Sequence, residues 1–550
     1  MKTNMRILNY IVVTGVVLTL SLLTSTSLVL AAGDAFIRGV VTDNGGKPVR
    51  GATVKANLGS KTVSKYTNSA GHYRIEGLDP ALYNVTVDGK GYALVNKEVD
   101  TSQNDEINFT LTSHMDVSRL VSAEMRFLIP ETSDIIQVYD RCSNCHGLET
   151  ALQMAGMPAA GWEAFLPGMT LRRSGTSQFD DALVAKMLPG VDTLFGHEGL
   201  LGPMKTELDY SKVKFSTLTD KALKATIIEW KIPTDEAMAH SVTVDDNSGM
   251  VWFSEIDVPS NKIGRFDPIT ETFAEYPIPV PESHAHTGTV MKDGRFIVAM
   301  ATEGGVDEKL IAADTDGNLE IYSWPEKPQG ARVVVKDPTR EDILWIVARN
   351  DTWSLNTKTK KFRAYPNPRP ASVPEGSYAQ KYGRGANAIN SYALAVDSKG
   401  FPWVTQFNLG VIFRIDPDTG ETKSFHTPEM LSSRGIGVDA DDNIWYADYY
   451  GHKLGMLDPN TGEITLHQPP TEYATPYGIT VDKKRGHIWY ADTGGNNITR
   501  FDPKTGEFIE FSVPTRNTSV RFMGVDPEGR AWYGGHWGGQ IGMIDPGDGG

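Results

Sequence analysis

The rhythm of hydrophobic and polar positions changes twice along the chain. From residue 34 to about 113 it has a period of two. Ile37-Arg38-Gly39-Val40-Val41-Thr42-Asp43 alternates as a strand should and runs into the turn Asn44-Gly45-Gly46. Further short strands are predicted at Ala52–Lys55, Ser64–Thr67, His72–Ile75, Tyr83–Val87 and Ile107–Leu111. Gly and Asn between them predict an antiparallel β-sandwich over 34–113. From 114 to 226 apolar residues recur at helical spacing, at Asp134–Arg141, Phe179–Leu188 and Leu218–Ile228, predicting a small α-helical domain.

Residues 227–550 repeat. "HSVTVDDNSGMVWFSE…NKIGRFDPITETFAEYPIP" is echoed by "YGITVDKKRGHIWYAD…NNITRFDPKTGEFIEFSVP". One aromatic position recurs at Trp252, Ile297 (degenerate), Trp345, Trp403, Trp445, Trp489 and Trp532, which makes seven units of four strand-like pieces. That pattern predicts a seven-bladed β-propeller. The seventh unit stops after three strands, and Ile227–Pro233 mirrors Phe273–Pro279, so the missing strand is expected ahead of the first unit. Ile227–Trp230 also reads as the end of a helix; the Pro233 match favours the strand. The fold class is therefore mainly β and multidomain, with a sandwich, a helical domain and a propeller.

Composition narrows the partners and the compartment. The chain has 550 residues, 53 Lys+Arg against 68 Asp+Glu, and a net charge of −15, which argues against nucleic acid as its partner. Lys2 and Arg6 precede the apolar run Ile11–Leu30, which ends in Ala31-Ala32-Gly33. Residues 1–32 read as a secretory signal, with cleavage near Ala31 or Ala32 and no membrane span afterwards; an uncleaved anchor is the alternative. The chain is expected in the periplasm or another extracytoplasmic space.

The two cysteines lie in one pentapeptide, Cys142-Ser143-Asn144-Cys145-His146. This is the spacing for covalent haem c, with Cys142 and Cys145 attached to the porphyrin and His146 on the iron. Met204 is the first choice for the sixth ligand, with Met154, Met157, Met169 and Met187 as competitors. The region from 114 to 226 looks like a cytochrome c domain. The function expected from it is haem-based electron transfer to a partner protein.

Aligning the seven units places His240, His286, Arg332, Tyr392, Arg434, Tyr477 and Arg521 at the start of the inner strands, which line a propeller's channel. A ring of Arg, His and Tyr suits an anionic or oxygen-rich small molecule. Three residues after the repeated aromatic stand Glu255, Gln406, Asp448 and Asp492, expected to pair with the Arg residues or hold a hard cation such as Mg or Ca. The long connection Pro366–Asn390, with Arg369, Lys381 and Arg384, is placed to cover this funnel.

Two families carry these patterns. "GVVTDNGGKPVRGATV", "TNSAGHYRIEGLDPALYNVTV" and "GKGY" resemble the carboxypeptidase regulatory-like family, which implies a non-catalytic folding or adhesion unit. "HSVTV…WFSE…NKIGRFDP" and "YGITV…WYAD…NITRFDP" resemble the virginiamycin B (streptogramin) lyases, seven-bladed propellers. That resemblance implies elimination across a cyclic ester by paired histidines, acidic residues and magnesium. His240 in "AHSVTV" and His286 in "AHTGTV" match the histidines, giving a candidate catalytic pair with either as general base. His284 and Ala301 stand where the lyases have Glu, although Glu303 is close, so the acidic part of the pattern is displaced. A carbon–oxygen lyase and a non-catalytic binding or sensing module are the alternative functions.

Overall fold

A computed structural model describes residues 33–547 except 104, 144–146, 175–180, 204–207, 257–260, 281–282, 303–307, 326–329 and 383–389. The expected signal at 1–32 lies outside the described residues. No described helix is long and apolar enough to cross a membrane.

Seven strands make the N-terminal sandwich-like region: β1 (Ala35–Asp43), β2 (Thr53–Leu58), β3 (Lys61–Tyr66), β4 (His72–Leu78), β5 (Leu82–Asp88), β6 (Val95–Asp100) and β7 (Phe109–Leu111). One sheet runs β4–β1–β7 and the facing strands run β6–β5–β2–β3. Ile37, Val41, Val54, Ala56, Ile75, Val85 and Val87 fill the space between, at the alternate positions that the pattern marks. The sequence pattern did not mark β6, whose middle residues Asn96, Lys97 and Glu98 are all exposed.

The next segment carries the helices Ser133–Ser143, Leu148–Leu152, Ala159–Ser174 and Asp181–Phe195. Val138, Tyr139, Cys142, Leu148, Trp162, Val191 and Phe195 form its core. A helix expected over Leu218–Ile228 is replaced by the single turn Ala222–Lys224 and then a strand, β8 (Thr226–Lys231). The run Thr226-Ile227-Ile228 is β-branched, and two neighbouring strands complete its hydrogen bonding, so tertiary pairing wins over the helical period.

The propeller has seven four-stranded blades. In four of them one Asp at the end of the inner strand ties the blade together. Asp337, Asp397, Asp439 and Asp526 each take a backbone amide two residues on and, on the other oxygen, the indole N–H of Trp345, Trp403, Trp445 or Trp532 at 2.8–2.9 Å. A single side chain thus fixes both the turn and the buried Trp that follows it.

The seventh blade takes its outer strand from the other end of the repeat: β8 pairs antiparallel with Gln540–Asp545. The free edge of β8 then pairs with β3, from Lys61↔Trp230 to Lys65↔Thr226. The sandwich sheet and the last blade are therefore one eight-stranded sheet. Buried Glu229 on β8 accepts hydrogen bonds from Thr515 Oγ1 (2.8 Å), Tyr533 Oη (2.9 Å) and Gln540 Nε2 (3.3 Å). At the triple junction Asp88 of β5 meets Arg119 of the helical segment (2.6 Å) and Arg516 of the propeller (2.8 Å).

Candidate functional site

The inner strands converge on the channel, and glycine lets them approach. A Cβ at Gly435 would land on the carbonyl oxygen of Tyr477, and one at Gly478 on that of Arg521. Each of these glycines follows a ring residue, Arg434 and Tyr477, so close backbone approach is what crowds the side chains together.

The seven residues form two connected groups. His240 and His286, on neighbouring blades, have ring centroids 4.1 Å apart. Across the channel Arg521 Nη1 donates to Tyr477 Oη at 2.8 Å, and the Tyr477 and Tyr392 hydroxyls are hydrogen bonded to each other. The Arg434 guanidinium carbon lies 3.8 Å from the centroid of the Tyr477 ring, 4.3 Å from that of Tyr449, 4.6 Å from Phe407 and 5.0 Å from Tyr392. Arg332 donates to Asn390 Oδ1 at 3.4 Å, and its guanidinium carbon is 5.4 Å from the centroid of the Tyr392 ring. Phe522 links the groups, 5.5 Å from His240 and 5.7 Å from Tyr477 between centroids.

Several neighbours escaped the sequence reading. Phe407, Tyr449 and His536 each fall four residues after a repeated Trp (Trp403, Trp445, Trp532), and that offset was the available signal. Glu308 is another. It accepts the Gly330 and Ala331 amides at 2.7 and 3.0 Å and so sets the backbone immediately before Arg332.

Burial and charge set the protonation states. Burial, then the facing His286 and the charge of Arg521, hold His240 well below the usual imidazole range. Burial, then Arg332 and Arg521, do the same to His286. Both rings are neutral at neutral pH. Burial pushes Tyr392 up to about 12. On Tyr477 burial acts upward too, but Arg434 and Arg521 outweigh it and hold the phenol below its ordinary value.

The second ring holds loops. Asp448 accepts from Ser432 N (2.8 Å), Ser432 Oγ (2.9 Å) and Leu431 N (3.2 Å), fixing the approach to Arg434. Asp492 accepts from Thr475 N (2.7 Å) and Gly495 N (3.0 Å), fixing the approach to Tyr477. Burial pushes Asp448 up to about 6 and Asp492 up to about 7. Gln406 Nε2 donates to Pro368 O at 2.6 Å, and Glu255 is fully buried.

The funnel opens to one side. His240, Arg434 and Tyr477 are at most 3% exposed, whereas His286 and Arg332 are half-buried. The helical segment sits over the opposite side, where Tyr449 Oη donates to Ser143 O (2.8 Å), Ala123 N to Gly494 O (2.9 Å) and Asn517 Nδ2 to Thr150 Oγ1 (3.1 Å). In the long connection after Pro366, the helix Tyr378–Tyr382 docks by stacking Tyr378 on Tyr450 at 3.9 Å. Arg369 and Lys381 belong to this connection, and Arg384 lies outside the described residues.

Ala301 offers no ligand atom, Glu303 lies outside the described residues, and among the described residues no three His, Cys, Asp or Glu side chains group as a metal site.

Comparison with known proteins gives two family matches. Residues 306–549 match the virginiamycin B lyase family, and residues 37–112 match the carboxypeptidase regulatory-like domain. The first span contains Arg332, Tyr392, Arg434, Tyr477 and Arg521; His240 and His286 precede it. Among solved structures, the selenomethionine form of virginiamycin B lyase from Staphylococcus aureus is 21% identical, with a TM-score of 0.49, covering 58% of this chain and 99% of that one. A streptogramin B lyase is 22% identical, with a TM-score of 0.49, covering 58% of this chain and 97% of that one. No curated protein matches the chain.

These findings overturn the haem-based electron-transfer reading of Cys142–His146. The larger match is to lyases and falls on the propeller, the fold is mainly β, and the described residues group no metal ligands. A five-residue spacing is a short motif that needs its structural context. Here Cys142, at 7% exposed, packs in the apolar core of the helical segment, as a small hydrophobe does. Met187 fills the same core, and Met154 and Met157 pack against it. Met169 lies on the helix Ala159–Ser174. Cys145, His146 and Met204 lie outside the described residues, so cytochrome c, haem and iron have no support here.

Proposed function

We propose that the chain is an exported carbon–oxygen lyase whose propeller eliminates across a carboxyl-bearing, oxygen-rich substrate. One observation carries the reading: a pair of neutral imidazoles on neighbouring blades stands beside the half-buried guanidinium of Arg332, at the open side of the funnel. The match of residues 306–549 to a lyase family supports it, and the pattern of residues 1–32 supports export.

The chemistry follows from the charges. A proton on the carbon beside a carboxyl group is weakly acidic, and a neutral imidazole is the side chain suited to remove it near neutral pH. His286 is the half-buried member of the pair and is the base. Arg332 faces the carboxyl group and stabilises the charge that develops there as the proton leaves. The electron pair forms the new double bond, and the carbon–oxygen bond one atom further on breaks. His240 packs against His286 and holds the ring in place. No step is routed through a metal.

The test is alkene formation from open carboxylates with an oxygen on the β-carbon, and from cyclic depsipeptides, where an amide carbonyl takes the carboxyl group's place before Arg332, with the full chain and with His286→Ala. Loss of about 10²-fold or more in the variant supports the base. Activity untouched in a double His240→Ala, His286→Ala variant refutes the mechanism. The displacement of the lyase-type carboxylates by His284 and Ala301 favours a second reading, a binding module that holds such ligands without turnover.

A further inference from the structure

An elimination has two ends, and the imidazole pair serves only one. The other is the oxygen that departs. A carboxylate leaves unaided, but an alkoxide is too basic to leave without a proton.

Two phenols stand on that side. Tyr392 is the nearer to the opening: the Arg332 guanidinium carbon lies 5.4 Å from its ring centroid, and Asn390, two residues earlier, is Arg332's hydrogen-bond partner. Behind it the Tyr392 hydroxyl is bonded to that of Tyr477. Tyr477 in turn accepts from Arg521 at 2.8 Å and has Arg434 3.8 Å from its ring centroid, while Arg434 Nη2 also donates to Tyr392 Oη at 3.4 Å. Negative charge on Tyr477 is therefore flanked by two guanidiniums, which is where a phenolate is best stabilised.

We infer that Tyr392 is the general acid of the elimination and Tyr477 the group that refills it, so that the substrate is a carboxylate whose β-carbon carries an alkoxy group. This rests on the lyase reading above. The balance closes without a redox partner. His286 takes the α-proton, the carbon–hydrogen pair becomes the double bond, and the carbon–oxygen bond breaks towards oxygen. The departing oxygen takes the Tyr392 proton, Tyr392 takes that of Tyr477, and the charge ends on Tyr477 between Arg434 and Arg521. Solvent carries the His286 proton back to Tyr477.

The experiment uses the full chain and two uronic-acid derivatives that differ only at the β-oxygen, one methylated and one acetylated, with alkene absorbance as readout. Tyr392→Phe is expected to slow the methoxy substrate by about 10²-fold or more while costing the acetoxy substrate less than about 10-fold. Equal losses on both substrates overturn the acid role and leave the lyase reading standing. If the wild type forms alkene from neither, this inference fails, and the lyase reading then stands or falls on the cyclic depsipeptide assay above. Independently of turnover, ultraviolet titration of the wild type should show one phenol ionising below the ordinary range, and Tyr477→Phe should lose it. If no such phenol is found, the relay is overturned.

Discussion

Asp88→Asn probes the point where the three parts of the chain meet. The carboxylate is 10% exposed and holds Arg119 at 2.6 Å and Arg516 at 2.8 Å, themselves 21% and 36% exposed. Asparagine keeps the shape and one acceptor but removes the carboxylate that stands between the two guanidiniums. A hydrogen bond to a charged group contributes about 1.5–3 kcal/mol, and breaking a fully buried pair costs about 3–5 kcal/mol. Water reaches Arg516, so the lower range applies, and the expected loss is about 2 kcal/mol. Urea unfolding followed by tryptophan fluorescence at neutral pH should show a lower midpoint. Acid gives a second check. Burial works upward on Asp88, but the hydrogen bond and charge of Arg516, with Arg119 and Lys55, hold it below its ordinary 3.8. Its contribution is therefore present above that value and disappears as pH falls through the lower folded one, so the variant loses this part of the acid limb. A variant with the wild-type midpoint at neutral pH, or with an equally steep acid limb, refutes the reasoning.

Asp492→Asn should behave oppositely. Burial raises this carboxyl from 3.8 to about 7, so the folded state holds the extra proton and stability falls as pH rises between those values; thermal unfolding of the variant should be flatter there. Gly435→Ala drives a methyl group into the Tyr477 carbonyl and should cost about 1–3 kcal/mol, seen as a lowered unfolding midpoint. If His286 is the base, the acid limb of kcat/KM falls well below 6.5, since burial and Arg332 keep the ring neutral down to there. A limb at or above 6.5 would assign the base elsewhere.

Much of the propeller was readable because every blade solves the same packing problem. In four blades the buried Trp takes its N–H to an Asp six or eight residues earlier, and the seven ring residues follow as one position per repeat. The closing strand was marked by Pro233, a repeat residue out of place. What resisted reading depends on pairings between unrelated segments. Nothing in Lys61–Tyr66 announces that its edge will meet Thr226–Lys231, and the same pairing turned the apolar run at 218–228 from an expected helix into a strand. Phe407, Tyr449 and His536 were hidden because their offset of four carries a different residue type in each blade. The Cys142–His146 spacing misled because five residues carry no information about what surrounds them.

The shared sheet moves a hazard from one end of the molecule to the other. A strand that closes a propeller ordinarily leaves its own outer backbone unpaired, open to another chain. With β3 laid along β8, that row of amides and carbonyls is used, and the terminal strand of the eight becomes β6. There the run Asn96-Lys97-Glu98 is exposed, with Lys97 Nζ donating to Asn108 O at 2.8 Å and Glu98 leaving a charge on the edge strand. The outer edge of the last blade is thus covered, and the edge that replaces it lies at the far end of the sandwich on a short strand with polar and charged residues, which disfavours edge-to-edge pairing.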